Sequence, residues 1–273
     1  MLVYEDPNAF ENVQTVLETT NLCTTVSMVS ITPVDLLSLA TSLPYAAQLA
    51  SVSNITDIKF LSYNSTFETD ILGPNASATL LHQESYQAFH EAGVYNRATN
   101  SIYISSNYPQ NDLAGGWQNN PVNITVVNLA DYSLKSMRYE GLHEANGGCP
   151  YYPSYVDSTA NSSEQLLLWC DEGDLINPSA LTLVDPVTNS SQILLTSFLG
   201  RNFSSINDAK QHPETGDIWF TDAQYGYFQQ FRPKPSIPPQ VYRFEPKTGV
   251  VQAVADGFVQ PNGIEFSPDF KTL

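Results

Sequence analysis

The chain has 273 residues, of which only 14% are charged, yet Asp and Glu outnumber Lys and Arg by 28 to 11, for a net charge of −17. That balance repels nucleic acid and anionic membrane, and leaves a protein whose acidity serves solubility or draws cations. No apolar run reaches the roughly 18 residues that a membrane-crossing helix needs, and the length allows one large all-β domain or two smaller ones.

The opening stretch, MLVYEDPNAFENVQTVLETTNL, has no basic n-region and no apolar h-region, so it does not read as a signal peptide. Residues 35–50, DLLSLATSLPYAAQLA, read as a short helix with an N-cap near Thr32 or Asp35. Sequons begin at Asn54, Asn64, Asn75, Asn123, Asn161, Asn189 and Asn202. Their number points to the secretory pathway or secretion, with a cytoplasmic protein as the alternative, and a secretory history without a leader suggests a start missing upstream. Cys149 and Cys170 flank a segment that can join two strands, and they can pair in an oxidising compartment, leaving Cys23 over. Three free thiols are the alternative.

From residue 100 onward the signals are those of strands. NSIYISSN (100–107), NITVVNL (123–129), EQLLLWC (164–170), SALTLVD (179–185), SQILLTSF (191–198), GDIWFTD (216–222), QVYRFEP (240–246) and GVVQAVA (249–255) are short alternating or apolar runs bounded by turn residues. RPKPSIPP (232–239) is too proline-rich for a strand and reads as an inserted loop. After the Asn262-Gly263 turn, IEFS reads as a last half-buried strand, and FKTL as the opening of another. The fold class is all-β behind a short, partly helical N-terminal lead.

One theme recurs in the segments that hold Glu91, Asn146, Asn207 and Asn262, at spacings of 55, 61 and 55 residues. Near-regular repetition of short antiparallel strands is the mark of a β-propeller, with a β-sandwich of accidental spacing as the competitor. At one position of every blade a side chain points to the axis, so residues far apart in sequence converge. One carboxylate with three carboxamides makes a hard oxygen set, suited to Ca²⁺ or another divalent cation. Taken singly, each Asn is an ordinary turn residue. His90 is expected to face away from Glu91, because neighbours on a strand point to opposite faces.

FHEAGVYNRATNSIYISS, INDAKQHPETGDIWFTD and PNGIEFSPD together resemble the signature segments of the senescence-marker-protein/gluconolactonase/luciferin-regenerating-enzyme-like family, whose relatives include regucalcin and fungal lactonases. The resemblance covers roughly residues 57–273, with 1–56 as a lead segment. It implies a six-bladed propeller, here cut to about four blades, with one divalent metal, usually Ca²⁺, at the channel mouth. By this resemblance Glu91, Asn207 and Asn262 are metal ligands, with Asn207 contacting the metal, its water or substrate depending on the member, and Asn146 is a substrate contact; His143, just before EANGG, is read as a further pocket residue from its position. An arginine that some members place two residues before Asn207 is replaced by Ser205. The family's general base, the aspartate of a later P-D-G motif, has no counterpart before Leu273, so an incomplete chain with weak metal binding and little turnover is expected. The implied activity is metal-dependent hydrolysis of small lactones or related esters, with no nucleic acid or membrane partner. The alternatives are a non-catalytic propeller that binds a partner, and a strictosidine-synthase-like propeller enzyme.

Overall fold

A computed structural model describes residues 27–28, 30–33, 59–62, 64–73, 76–78, 80–107, 122–153 and 164–273. The chain divides into two compact units, and for the described residues the division falls between Gln83 and Glu84, downstream of the 56/57 boundary read from the sequence. The first unit holds β1 (Ser27–Met28), β2 (Ser30–Pro33), β3 (Lys59–Ser62) and β4 (Ser77–Ala78), with a π-helical turn at Phe67–Leu72. Strand β1 pairs antiparallel with β4, and β2 pairs parallel with β3. The helix expected at 35–50 lies outside the described residues, although Thr32, one candidate cap, is inside β2.

The second unit contains three four-stranded antiparallel meanders. They are β5 (Glu91–Asn96), β6 (Ser101–Ser105), β7 (Ile124–Asn128) and β8 (Leu134–Met137); then β9 (Ala145–Tyr151), β10 (Leu166–Asp171), β11 (Ala180–Asp185) and β12 (Ser190–Leu195). A two-stranded ribbon follows, β13 (Ser197–Phe198) and β14 (Arg201–Asn202). The third meander is β15 (Ile206–Gln211), β16 (Ile218–Asp222), β17 (Gln240–Glu245) and β18 (Val250–Ala255), with a single helical turn, α1 (Tyr225–Phe228), inserted before β17. In each meander the strands pair in chain order, so the first strand is one edge and the fourth the other. The outer β18 is mostly exposed and β12 has no buried residue, whereas β10 is buried along nearly all its length.

The sequence explains that burial. LLLWC is an unbroken apolar run, as a strand covered on both faces should be. Leu167 and Trp169 join Val94, Tyr103, Ile124 and Val126 in one core cluster. Leu168 and Cys170 join Phe203, Ile206, Phe220 and Tyr242 in the other. The period of two thus sends alternate side chains of one strand into the two neighbouring sheets. Phe203 meets Phe220 and Tyr242 edge-on, each at 5.2 Å, and Phe220 stacks on Tyr242 at 5.4 Å. Each such fully buried side chain contributes about 1.5–3 kcal/mol.

Two hairpins repeat one local solution. Asp185-Pro-Val-Thr-Asn189 and Glu245-Pro-Lys-Thr-Gly249 each close with the last N–H donating to the first carbonyl, at 2.8 and 2.9 Å. The closing residue has φ of 59° at Asn189 and 75° at Gly249, the left-handed region that Asn and Gly tolerate best.

Cys149 and Cys170 are both buried. They occupy adjacent strands, but Cys149 is opposite Leu168 and Cys170 opposite Leu181, so the two thiols are offset along the same face and the disulfide weighed from sequence does not form. The IEFS strand is not formed either. The Ile264 N–H donates to the Asp208 carboxylate at 3.1 Å instead of to a strand ladder.

Candidate functional site

The first strands of the three sheets pack against one another, β5 on β9 and β9 on β15. Glu91 opens β5, and Asn146 and Asn207 are the second residues of β9 and β15. Asn262 follows β18. All four line one cavity of about 160 Å³ within the second unit.

Main-chain bonds seat these residues. The Ser105 hydroxyl, on the second strand of the first sheet, donates to Asn146 O at 2.8 Å. The Thr221 hydroxyl, on the second strand of the third sheet, donates to Asn262 O at 2.7 Å. In the middle sheet Cys170 precedes Asp171 as Thr221 precedes Asp222, and Cys170 is close enough to Asp208 to feel its charge. Asn207 is held by close approach: a Cβ on Gly147 would be 2.5 Å from Asn207 O and 2.7 Å from Asp208 Oδ1.

The strand-ending aspartates form a second repeat. Asp171 accepts N–H bonds from His143, Glu144 and Gly173, each at 2.9 Å. Asp222 accepts from Ser204 at 2.9 and 3.0 Å and from Ser205 at 2.8 Å. Each carboxylate thus fixes the loop that enters the inner strand of its own sheet.

Side-chain bonds orient the carboxamides. Asn262 Nδ2 donates to the Tyr225 hydroxyl at 3.0 Å, which turns Oδ1 the other way. Asn146 Nδ2 donates to Glu172 at 2.5 Å, and Asn146 Oδ1 is left buried with no partner in the chain. Glu91 supplies charge and Asn207 and Asn262 supply neutral oxygens, a donor set that fits a hard divalent cation. Among the described residues no three of His, Cys, Asp and Glu form a ligand cluster, so carboxamides would have to complete such a site.

His143 does not line the cavity; its Nδ1 bonds to Asp171 at 3.1 Å, which raises its pKa. His90 does line it beside Glu91, contrary to the alternation expected of a strand. His90 precedes β5, which begins at Glu91, so strand alternation does not govern its direction.

Glu144 and Glu172 also line the cavity, and neither was found by the repeat. A signal for Glu144 was present: His143-Glu144-Ala145 repeats His90-Glu91-Ala92 two positions out of register with Asn146. Burial pushes the Glu144 carboxyl up to about 8, with Asp171, Glu172 and Asp174 adding repulsion. Burial likewise pushes Glu172 up to about 7, against hydrogen bonds from Ser205 and Asn146.

These two raised carboxyls bind protons in the native state that the unfolded chain releases above the ordinary carboxylate range. Stability is therefore expected to fall as pH rises from about 4.5 to about 8, and to level off above that. Thermal unfolding followed by circular dichroism should give a lower Tm near pH 8 than near pH 5, and the opposite order would show that both groups are ionised in the folded chain.

Consecutive four-stranded meanders, with their first strands side by side around a polar cavity, are blades of the β-propeller type. Residues 153–273 match the family model for the SMP-30/Gluconolactonase/LRE-like region. It is 32% identical over 222 residues to the lactonohydrolase oryL of Aspergillus oryzae, covering 81% of this chain and 48% of that relative. It is also 32% identical over 92 residues to a gluconolactonase of Zymomonas mobilis, covering 33% of this chain and 25% of that one. The chain thus spans about half the length of the oryL relative, and less of the other. An X-ray structure reported as a candidate gluconolactonase superposes with a TM-score of 0.51 at 21% identity, over 69% of this chain and 55% of that chain, a likeness of fold.

Proposed function

We propose that this chain forms part of a hydrolase acting on lactones or related small esters, and that Glu91, Asn207 and Asn262 hold a divalent cation, calcium in first place. One observation carries the reading: four residues spaced 55 to 61 positions apart share the wall of one cavity. The lactonohydrolase and gluconolactonase relatives support the substrate class.

A divalent cation in such a site polarises a carbonyl oxygen and offsets the charge that develops on it. The chain's own residues do the rest. Tyr225 holds Asn262 so that its oxygen is presented to the ligand. Glu172 does the same for Asn146, whose unpartnered Oδ1 accepts a bond from substrate or from the attacking water. Burial of Asn207 excludes water from its side of the pocket.

Calorimetric titration with calcium tests the reading, alongside hydrolysis of an aldonolactone with and without chelator. Asn262→Ala removes one neutral ligand from an exposed segment, and Glu91→Gln removes charge with little change of shape. Each is expected to weaken calcium binding by about tenfold or more, and to slow hydrolysis by about a hundredfold. Unchanged affinity and rate in both variants would show the assignment to be wrong. Calcium binding without hydrolysis of any lactone would favour a non-catalytic propeller.

A further inference from the structure

We infer that Glu144 is the proton donor to the departing alcohol in this cavity, a role that rests on the hydrolase reading above. Its side chain is 4% exposed and lines the cavity, yet Oε2 is buried with no hydrogen-bond partner in the chain. A buried polar atom left unpaired costs about 1–3 kcal/mol, so Oε2 is free to bond to a group that enters the cavity. The main chain around it is fixed. Glu144 N donates to Asp171 at 2.9 Å, and Glu144 O accepts from Glu172 N at 2.8 Å. The other side-chain oxygen takes a bond from the Val122 backbone, which leaves Oε2 as the reactive end.

The charged groups that act on Glu144 are Asp171, Glu172 and Asp174, all acidic. They and burial push the Glu144 carboxyl up to about 8, which favours its protonated form. A protonated carboxyl in this place offers an O–H to an ester oxygen, whereas a carboxylate would repel one.

The step balances. The water oxygen bonds to the acyl carbon and the acyl C–O bond breaks. The Glu144 proton passes to the departing alkoxide, giving a neutral alcohol. The proton lost by the attacking water goes to solvent, from which the Glu144 carboxylate is later reprotonated.

The test compares two substrates of the full-length protein, an aliphatic lactone whose alkoxide leaves poorly and an aryl ester whose phenolate leaves without help. Glu144→Gln keeps shape and a hydrogen-bond donor but has no proton to give. Its kcat/KM is expected to fall about a hundredfold on the lactone, and less than about threefold on the aryl ester. The loss of activity above about pH 8 on the lactone should disappear from the variant's profile. Glu144→Asp, which keeps an acid, should recover part of the lactone rate. Infrared difference spectra between the unsubstituted protein and Glu144→Gln at neutral pH should show the C=O stretch of a protonated acid, a readout independent of turnover. Equal losses on both substrates, or a carboxylate band in place of the acid band, would overturn the donor role. Inactivity of the unsubstituted protein on both substrates is the failure of the hydrolase reading, and the donor role falls with it.

Discussion

Replacing Arg232 with alanine is expected to lower the unfolding free energy by about 3–5 kcal/mol, the largest stability loss of any single polar substitution considered. The proline-rich loop after α1 sends this side chain inward, and it is only 6% exposed. Nε donates to Ser204 O and Nη2 to Phe203 O, both at 3.1 Å, and Nη1 donates to Asp174 O and Asn177 O, both at 2.6 Å. One planar fork thus ties the loop after β10 to the entry of β15. It also stands near Asp171, Asp174, Asp222 and Glu172, whose combined charge it offsets. Truncation takes a donor from four carbonyl groups, of which Asn177 O keeps its bond from Asp174 N, and leaves the acids uncompensated. Arg232→Lys should recover little, because a single ammonium cannot reach carbonyls on four residues at once. Urea denaturation measures the change, and a loss below about 1 kcal/mol would show that water fills the role.

Gly147→Ala is expected to act on the site rather than on the core. The added methyl would meet Asn207 O at 2.5 Å, Asp208 Oδ1 at 2.7 Å and Asp208 Cα at 3.0 Å. Backbone rather than a flexible side-chain end is in the way, so β15 must move. Overpacking of this kind costs about 1–3 kcal/mol. A displacement near 1 Å at a reacting centre can cost about a hundredfold in rate. Under the cation reading, calcium affinity should fall about tenfold or more, and lactone hydrolysis should fall further than affinity. If both were unchanged, Asn207 would not be a ligand held in place by this contact.

Gly147 also shows why parts of the fold were hard to read. The middle strands of every sheet were legible, because SIYIS, ITVVN, LLLWC and QVYRF follow ordinary strand chemistry. The inner strands β9 and β15 were not. They read ANGGCPY and INDAKQ, full of residues that elsewhere make turns. Their composition follows from position: inner strands approach closely enough to need glycine, and they carry the polar side chains of the cavity. Glu91, Asn146, Asn207 and Asn262 could be found because their spacing survives any local ambiguity. Glu172 could not, since it reaches the same wall from an off-register position, and Glu144 is marked only by the His-Glu-Ala triplet it shares with Glu91. His90 was misplaced because the strand begins one residue later, at Glu91, so a rule based on strand alternation does not reach it. Arg232 sits in a run that sequence marks only as a stiff loop, and its inward turn depends on carbonyls from distant segments.

The hydroxyl links from Ser105 to Asn146 O and from Thr221 to Asn262 O have a bearing on how such a chain can grow or be rearranged. In each case the donor is on one sheet and the carbonyl is on the segment after it. A segment copied from one sheet boundary to the next would therefore carry an asparagine to be gripped and a hydroxyl to grip its successor. An exchange cut anywhere between Ser105 and Asn146, or between Thr221 and Asn262, leaves one asparagine seated by a foreign partner, whereas a cut between the first and second strands of a sheet keeps each donor with the carbonyl it grips. The boundary along which such chains can be recombined without disturbing the cavity is thus set by two small side chains, Ser105 and Thr221, neither of which needs to touch a ligand.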